Sequence, residues 1–249
     1  MSENLLTGKR FIDLSNQAYK RDIVTFSDFL TLSELNILHQ NSGKYSVHYE
    51  VFGGYAYAER QIAAFVPDAL SYAWDYPIIC LKLSPAYPKF AEELSHRDIL
   101  GAVMSLGIER AKIGDISVAE DGAYLFCKKE IADYLLSEIT QIRHTIVQLA
   151  PVDAGSLNIQ PKMQEYEAVI SSNRIDNVVA AMIHKSRSNA VDLIQSGKVA
   201  VMGSECLHNT YLCKGNDVIS IRGYGKFLFA GALGVTKKDR MKILYKKYI

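Results

Sequence analysis

Along this 249-residue chain the spacing of apolar positions changes period repeatedly, and each change marks an element. Thr31 and Glu34 have capping-box spacing ahead of Leu35, Ile37 and Leu38, which predicts a helix. Residues 45–51 alternate as a half-buried strand does. Gly53-Gly54 interrupts them, and an apolar pattern resumes over residues 55–66. The two glycines permit a hairpin or bulge there. Pro67-Asp68 reads as a turn. Residues 1–75 are expected to form an N-terminal α+β domain.

Residues 76–152 show a second and more regular α+β pattern. An apolar strand is predicted at 77–83. Ser95 can cap a helix carrying Ile99, Val103, Met104 and Leu106, with Gly107 near its end. Strands at 116–118 and 124–126 flank the turn Glu120-Asp121-Gly122. Ile131, Leu135, Leu136 and Ile139 mark a second helix, and 145–149 a last strand. The order β-α-β-β-α-β is the ferredoxin-like, RRM-type arrangement. RNA-binding sheets of that type display aromatics on their central strands. Tyr124 and Phe126 are the candidates here, without an RNP signature, so a structural or protein-contacting role fits this middle domain equally well. Residues 153–170, with Asp153, Gly155, Pro161 and polar neighbours, fit a linker.

From residue 171 the pattern predicts two short helices on a small sheet. Asn173 can cap the first, with Asp176 in its opening turn and Val178, Val179, Met182 and Ile183 on its apolar side. Ser186 or Ser188 can cap the second, which carries Ala190, Val191, Leu193 and Ile194 and ends at Gly197. Strands follow at 198–202 and 218–221, with turns at Gly203 and at Gly215-Asn216-Asp217. The fold class expected is α+β and multidomain, with domains at 1–75, 76–152 and 171–249.

Charge sharpens this division. The net charge is only +1, but from residue 170 onward 13 Lys+Arg face 5 Asp+Glu, whereas the rest of the chain is acidic. A basic end of this kind points to a polyanionic partner. Four dispersed cysteines form no CxxC pair, and the six histidines have no metal spacing. P-loop, GxSxG and dinucleotide fingerprints are lacking. No cofactor, metal site or catalytic constellation is expected, and no apolar run is long enough for membrane insertion.

The string RID-x9-SRSNAVDLIQSGKVAVMG-x11-GNDVI resembles the S-four (alpha-L) RNA-binding domain. Arg174, Asp176, Ser186, Arg187, Ala190, Ile194, Gly197, Val199, Val201, Gly203 and Gly215 match its pattern. Ile175 stands where Leu is usual, Met202 where Asn is usual, and Asn216-Asp217 replaces a Gly-Asp turn. The resemblance extends further: Phe52-Gly53-Gly54-Tyr55, Ala58-Glu59-Arg60 and Ile113-Gly114-Asp115-Ile116 are similar to motifs of YlmH-type proteins. It implies an N-terminal domain, an RRM-like domain and a C-terminal S-four domain, in cytoplasmic bacterial proteins encoded with cell-division genes. Related small S-four proteins act on the large ribosomal subunit in quality control of stalled translation.

The resemblance assigns RNA contact to Arg174, Lys185, Ser186 and Arg187, with Arg187 displayed near the positive end of the second helix. Lys198, Arg222 and Lys226 are further candidates from charge alone. The tail through Lys237, Lys238, Asp239, Arg240 and Lys242 to Lys246-Lys247 reads as an RNA-binding helix, a membrane-surface segment or a frayed end. Asp176 reads as a capping or orienting carboxylate, and Arg60 as a structural or RNA-contacting arginine. The expected partners are structured RNA (rRNA or tRNA) and the large ribosomal subunit. The expected activity is non-enzymatic. A pseudouridine-synthase-type enzyme and an adaptor for cell-division proteins are the alternatives.

Overall fold

Two compact units, Met1–Ile159 and Gln160–Ile249, make up the computed structural model. It describes residues 3–249 apart from Ala69, Glu120, Asn158, Lys237 and Lys238. The first unit opens with helix α1 (Glu3–Arg21), which the sequence reading did not anticipate. Phe11 and Ala18, seven residues apart, bury one stripe of it. Strand β1 (Thr25–Leu30) leads into α2 (Leu32–Gln40). The expected capping box forms: the Thr31 side chain accepts from the Glu34 N–H, and the Glu34 carboxylate accepts from the Thr31 N–H. Strands β2 (His48–Phe52) and β3 (Gln61–Val66) complete an antiparallel sheet of order β1-β3-β2.

The same unit continues with β4 (Ile78–Pro85), α3 (His96–Ser105), β5 (Ile113–Ala119), β6 (Gly122–Lys128), α4 (Lys129–Glu138), β7 (Gln141–Ile142) and β8 (Thr145–Val152). Ser95 and Asp98 form a second capping box ahead of α3. The expected β-α-β-β-α-β order is present, and the antiparallel sheet runs β5-β6-β4-β8-β7. In the predicted turn, Glu120 lies outside the described residues. Leu81, Leu83, Leu125 and Cys127 on one sheet face pack with Ile99, Val103 and Leu135 of the helices. On the other face Cys80, Tyr124 and Phe126 pack with Phe29 and Ile62 of the first sheet, so the two sheets share a core.

The second unit begins with a strand where a linker was expected. Strand β9 (Met163–Ile170) precedes α5 (Ile175–Ile183), α6 (Arg187–Gln195), β10 (Val199–Val201), β11 (Ser204–Glu205), β12 (Asp217–Ile221), β13 (Gly225–Val235) and β14 (Met241–Tyr248). The sheet order is β11-β10-β12-β13-β14-β9. Strand β9 pairs along its whole length with β14, from Met241↔Ile170 to Tyr248↔Met163. Glutamates and Gln164 interrupt its apolar positions, so the alternation of a strand is masked in the sequence. The basic tail is likewise a strand, neither helical nor frayed over β14, with Ile243 and Tyr245 buried at alternate positions. Helices α5 and α6 cover one sheet face, where Val178, Val179, Met182, Ala190 and Ile194 meet Ile219, Ile221, Phe227, Phe229, Ile243 and Tyr245.

The turns report local chemistry. Met202 and Gly203 join β10 to β11 with φ of 49° and 74°. Two consecutive positive φ values make the tight hairpin turn that favours Asn-Gly. This explains why the departure from Asn at position 202 falls on a conformationally demanding residue.

Candidate functional site

The basic helix pair is organised around one buried carboxylate. Arg174 is the N-cap residue of α5 and makes no side-chain capping bond. Asn173, the expected cap, instead donates its side-chain amide to the Cys213 carbonyl at 3.1 Å. Asp176, in the first turn, is 0% exposed. Arg174 donates from Nε and Nη2 to its two oxygens at 3.3 and 2.9 Å. Arg187, the first residue of α6, donates from Nε and Nη2 to Oδ2 at 3.0 and 2.8 Å. The Asn177 N–H adds a bond of 2.9 Å to Oδ1. Burial alone would raise the Asp176 pKa, but the bonds from Arg174 and Arg187 outweigh it and hold it below the ordinary carboxylate value. Asp176 therefore orients rather than caps. Two guanidinium groups share one carboxylate, so the triad keeps one net positive charge. Each guanidinium has five N–H donors, of which Asp176 takes two.

Arg187 is accordingly half-exposed and pinned, not freely displayed. A glutamate in its place would set a second carboxylate against a buried one. Ser186 caps α6 as expected, accepting from the Asn189 N–H at 3.2 Å. Lys185 is exposed beside it, after His184 closes α5 in the left-handed region at φ 53°. These four residues, Arg174, Lys185, Ser186 and Arg187, gather around the ends of the helix pair.

The remaining candidates are dispersed. Lys198 and Arg222 are exposed neighbours, because the Arg222 N–H donates to the Lys198 carbonyl at 2.8 Å. Lys226 alternates with buried Phe227, which puts it on the sheet face away from the helices; its ammonium lies 5.0 Å from the Tyr248 ring centre. Lys237 and Lys238 fall outside the described residues. Much of the remaining tail charge is matched within the sheet: Lys242 meets Glu167 at 2.7 Å and Lys246 meets Glu165 at 2.6 Å. Only the strand pairing discloses those partners.

In the first unit, the motifs that carry the resemblance converge on a latch. The Asp115 carboxylate accepts from the Tyr55 hydroxyl at 2.9 Å, the Glu59 N–H at 2.7 Å and the Arg60 N–H at 3.2 Å. Arg60 in turn donates to the carbonyls of Ile113 at 3.0 Å and Phe29 at 2.9 Å. Burial raises the Asp115 pKa, against the lowering by those hydrogen bonds. Gly54 sits at φ 99°, where a Cβ would come within 2.5 Å of the Phe126 ring. The paired glycines thus open the loop of the β2–β3 hairpin and also allow close approach to the second sheet. Arg60 is structural, and sequence spacing had not distinguished that role from RNA contact.

Tyr124 and Phe126, the aromatics considered for base stacking, are 6% and 0% exposed beneath this latch. Bases therefore have no access to them. Cys80, Cys127 and Cys213 are buried free thiols, and Cys206 is partly buried. Among the described residues, no group of His, Cys, Asp and Glu side chains could hold a metal ion, and no helix is long and apolar enough to cross a membrane.

Residues 73–156, which span the second sheet of the first unit, match the family model described as "Putative RNA-binding domain in YlmH". The solved structure of the cell division protein ylmH from Streptococcus pneumoniae is similar at 22% identity and a TM-score of 0.49, over 60% of this chain and 88% of that one. The "Ribosome-associated protein quality control protein P2" of Bacillus subtilis (strain 168) is 31% identical over 223 residues, which cover 89% of this chain and 86% of that protein. An identity sustained over that share of both chains, and the family model matched within it, establish that the chain belongs to the YlmH family.

Proposed function

We propose that this chain is a non-enzymatic RNA-binding protein of the cytoplasm, whose second unit is an S-four-type module that docks on structured RNA of the large ribosomal subunit. The RNA is rRNA or tRNA, and the process is quality control of stalled translation or subunit assembly, with a link to cell division through the family. The observation that carries this reading is the Arg174–Asp176–Arg187 triad beside Lys185. A buried carboxylate that holds two arginines removes part of their conformational freedom while leaving donors over for phosphate oxygens. Ordering two such side chains in advance lowers the entropy cost of binding. The same geometry speaks against catalysis by the enzyme-like string at 174–176. Its carboxylate is saturated by arginines and held ionised, with no role left as a proton donor. The first unit carries the match to the family's RNA-binding domain, but its central aromatics are covered, so it acts either through RNA contacts that do not use base stacking on the sheet or as a scaffold or protein-contacting domain.

The test is binding of the full chain to large ribosomal subunits and to rRNA fragments across a salt series. Affinity should fall steeply with salt, because neutralised phosphates release counterions. Lys185→Glu, an exposed change touching no buried group, should weaken binding roughly threefold to tenfold and flatten the salt slope by about one ion, with the urea midpoint unchanged. Salt-insensitive binding, or full affinity in this variant, would remove the helix pair from the interface.

A further inference from the structure

The first unit contains a cleft of about 600 Å³ that the RNA reading does not use. Phe52, Tyr76, Ile78 and Val152 line it, with the exposed carboxylates of Asp75 and Asp153 among its walls. The Phe52 ring lies 5.3 Å from that of Tyr76, and Trp74 lies 5.2 Å beyond on an edge-on contact. Tyr76 has the one buried side-chain polar atom, among the described residues, without a hydrogen-bond partner: its hydroxyl. A buried hydroxyl left so costs on the order of 1–3 kcal/mol, and a group of this kind calls for an explanation. Glu50 is also close enough to act on this phenol, which burial and that charge hold well above its usual pKa. Among the described residues, the lining contains no lysine or arginine.

We propose that this cleft receives an arginine side chain from a basic segment of a partner protein. A guanidinium is planar, stacks on aromatic faces, and donates hydrogen bonds in several directions at once. Its aliphatic stem would lie against Ile78 and Val152 and its plane against the aromatic rings; its N–H groups would meet the carboxylates and, once the Tyr76 side chain turns its solvent-shielded hydroxyl toward the cleft, that oxygen as well. Charge complementarity selects this occupant over a nucleotide. The unit has 14 Lys+Arg against 20 Asp+Glu, and carboxylates at the cleft repel a phosphate backbone. Because the cleft lies within the first unit, the inference stands independently of RNA binding by the second.

The experiment uses the full chain with labelled Ile and Val methyl groups. It is titrated with an acetylated, amidated Gly-Arg-Gly-Arg-Gly-Arg-Gly peptide and, separately, with a hexauridylate RNA. The peptide should shift the methyl signals of Ile78, Ile79 and Val152 saturably. Asp75→Asn with Asp153→Asn should weaken the peptide about fivefold or more, since charge-assisted contacts are the strong ones. Asparagine preserves the acceptor by which Asp153 holds the Gly155 N–H, so the local turn survives. Tyr76→Phe should weaken the peptide about twofold to fivefold by removing one hydrogen bond. An equal change of charge on α4, Asp133→Asn with Glu138→Gln, should alter affinity by less than about twofold, as exposed distant charges are screened. The proposal fails if the peptide leaves the three methyls unmoved, if the α4 variant loses as much affinity as the cleft variant, or if Tyr76→Phe binds as the parent does. Tighter binding of hexauridylate at the same methyls would make the cleft a nucleobase site instead.

Discussion

The two units differ in how they use their basic side chains. The first carries a net charge of −6 and turns several of its cations inward, although Lys20, Arg21, Lys89, Arg97 and Lys129 are exposed. Arg60 and Arg110 donate to backbone carbonyls, and Arg10, Lys112 and Lys128 converge on Asp28 at 2.7, 3.0 and 2.9 Å. Burial pushes the Asp28 carboxyl up, but Lys128, Arg10 and Lys112 overcome it and hold it far below the usual range. The second unit carries a net charge of +7 and leaves Lys185, Lys198 and Arg222 exposed. Even there the count misleads in places, because Lys242 and Lys246 are paired across the sheet. A charge tally marks the region suited to a polyanion; the partner of each cation decides which side chains remain available to one.

The comparison breaks most severely at the start of the second unit. A fragment of residues 160–249 should show a cooperative urea transition, whereas 171–249, which matches the motif but lacks β9, should not. The shorter piece exposes the long edge of β14 and removes eight paired residues. Equal cooperativity, followed by circular dichroism, would make β9 an accessory strand.

Removing the organising group of each unit gives the next largest effect. Arg60→Ala should destabilise the first unit by about 1–3 kcal/mol, since it removes the donor to the Phe29 and Ile113 carbonyls while the backbone N–H that Asp115 accepts remains, yet leave RNA affinity within about twofold. Asp176→Ala should cost the second unit about 2–3 kcal/mol and release both arginines, so that RNA affinity falls as well. Urea titration paired with RNA titration separates the two. Loss of RNA affinity in a folded Arg60→Ala protein would bring the first unit into the interface.

Acidification distinguishes the units further. Asp176 has a folded-state pKa below its unfolded value, so its contribution is complete above about pH 4, the unfolded range, and is lost as pH falls through the folded value. Asp115 is shifted the other way. Its burial penalises the folded state as pH rises from the unfolded value through the folded one, so its protonation favours folding on acidification. In fragment 160–249, Asp176→Asn should therefore flatten the loss of stability below about pH 4. In the full chain, Asp115→Asn should remove a gain in first-unit stability as pH falls towards the ordinary carboxylate range. Urea midpoints across pH provide the check, and parallel profiles in parent and variants would contradict both assignments.

The smallest effect belongs to the β10–β11 turn. Met202→Asn places a residue tolerant of positive φ at 49° and should stabilise the second unit by up to about 1 kcal/mol. The side chain also gives something up, because the Met202 sulfur accepts from the Val218 N–H at 3.3 Å. A thermal shift downward would mean that this contact outweighs the backbone preference.

What the sequence determined by itself was local. Thr31 with Glu34 and Ser95 as a cap fixed two helix starts, because capping partners lie three residues apart. Gly197 ended α6 at φ 67°, and Ser186 began it. The order of helices and strands in residues 76–152 and the position of the basic helix pair were legible for the same reason. Tertiary structure decided whatever depended on distant partners. Tyr124 and Phe126 had the look of displayed aromatics until Phe29 and Ile62 covered them. Asp28 finds Lys128 a hundred residues away, and Asp115 finds Glu59 and Arg60 more than fifty away. Strand β9 became visible only through β14, some eighty residues later in places, and Arg187 became fixed only when α6 folded back onto the carboxylate of α5. Capping and turn preferences are encoded by neighbours in the chain, whereas burial and ion pairing are settled by which segments meet.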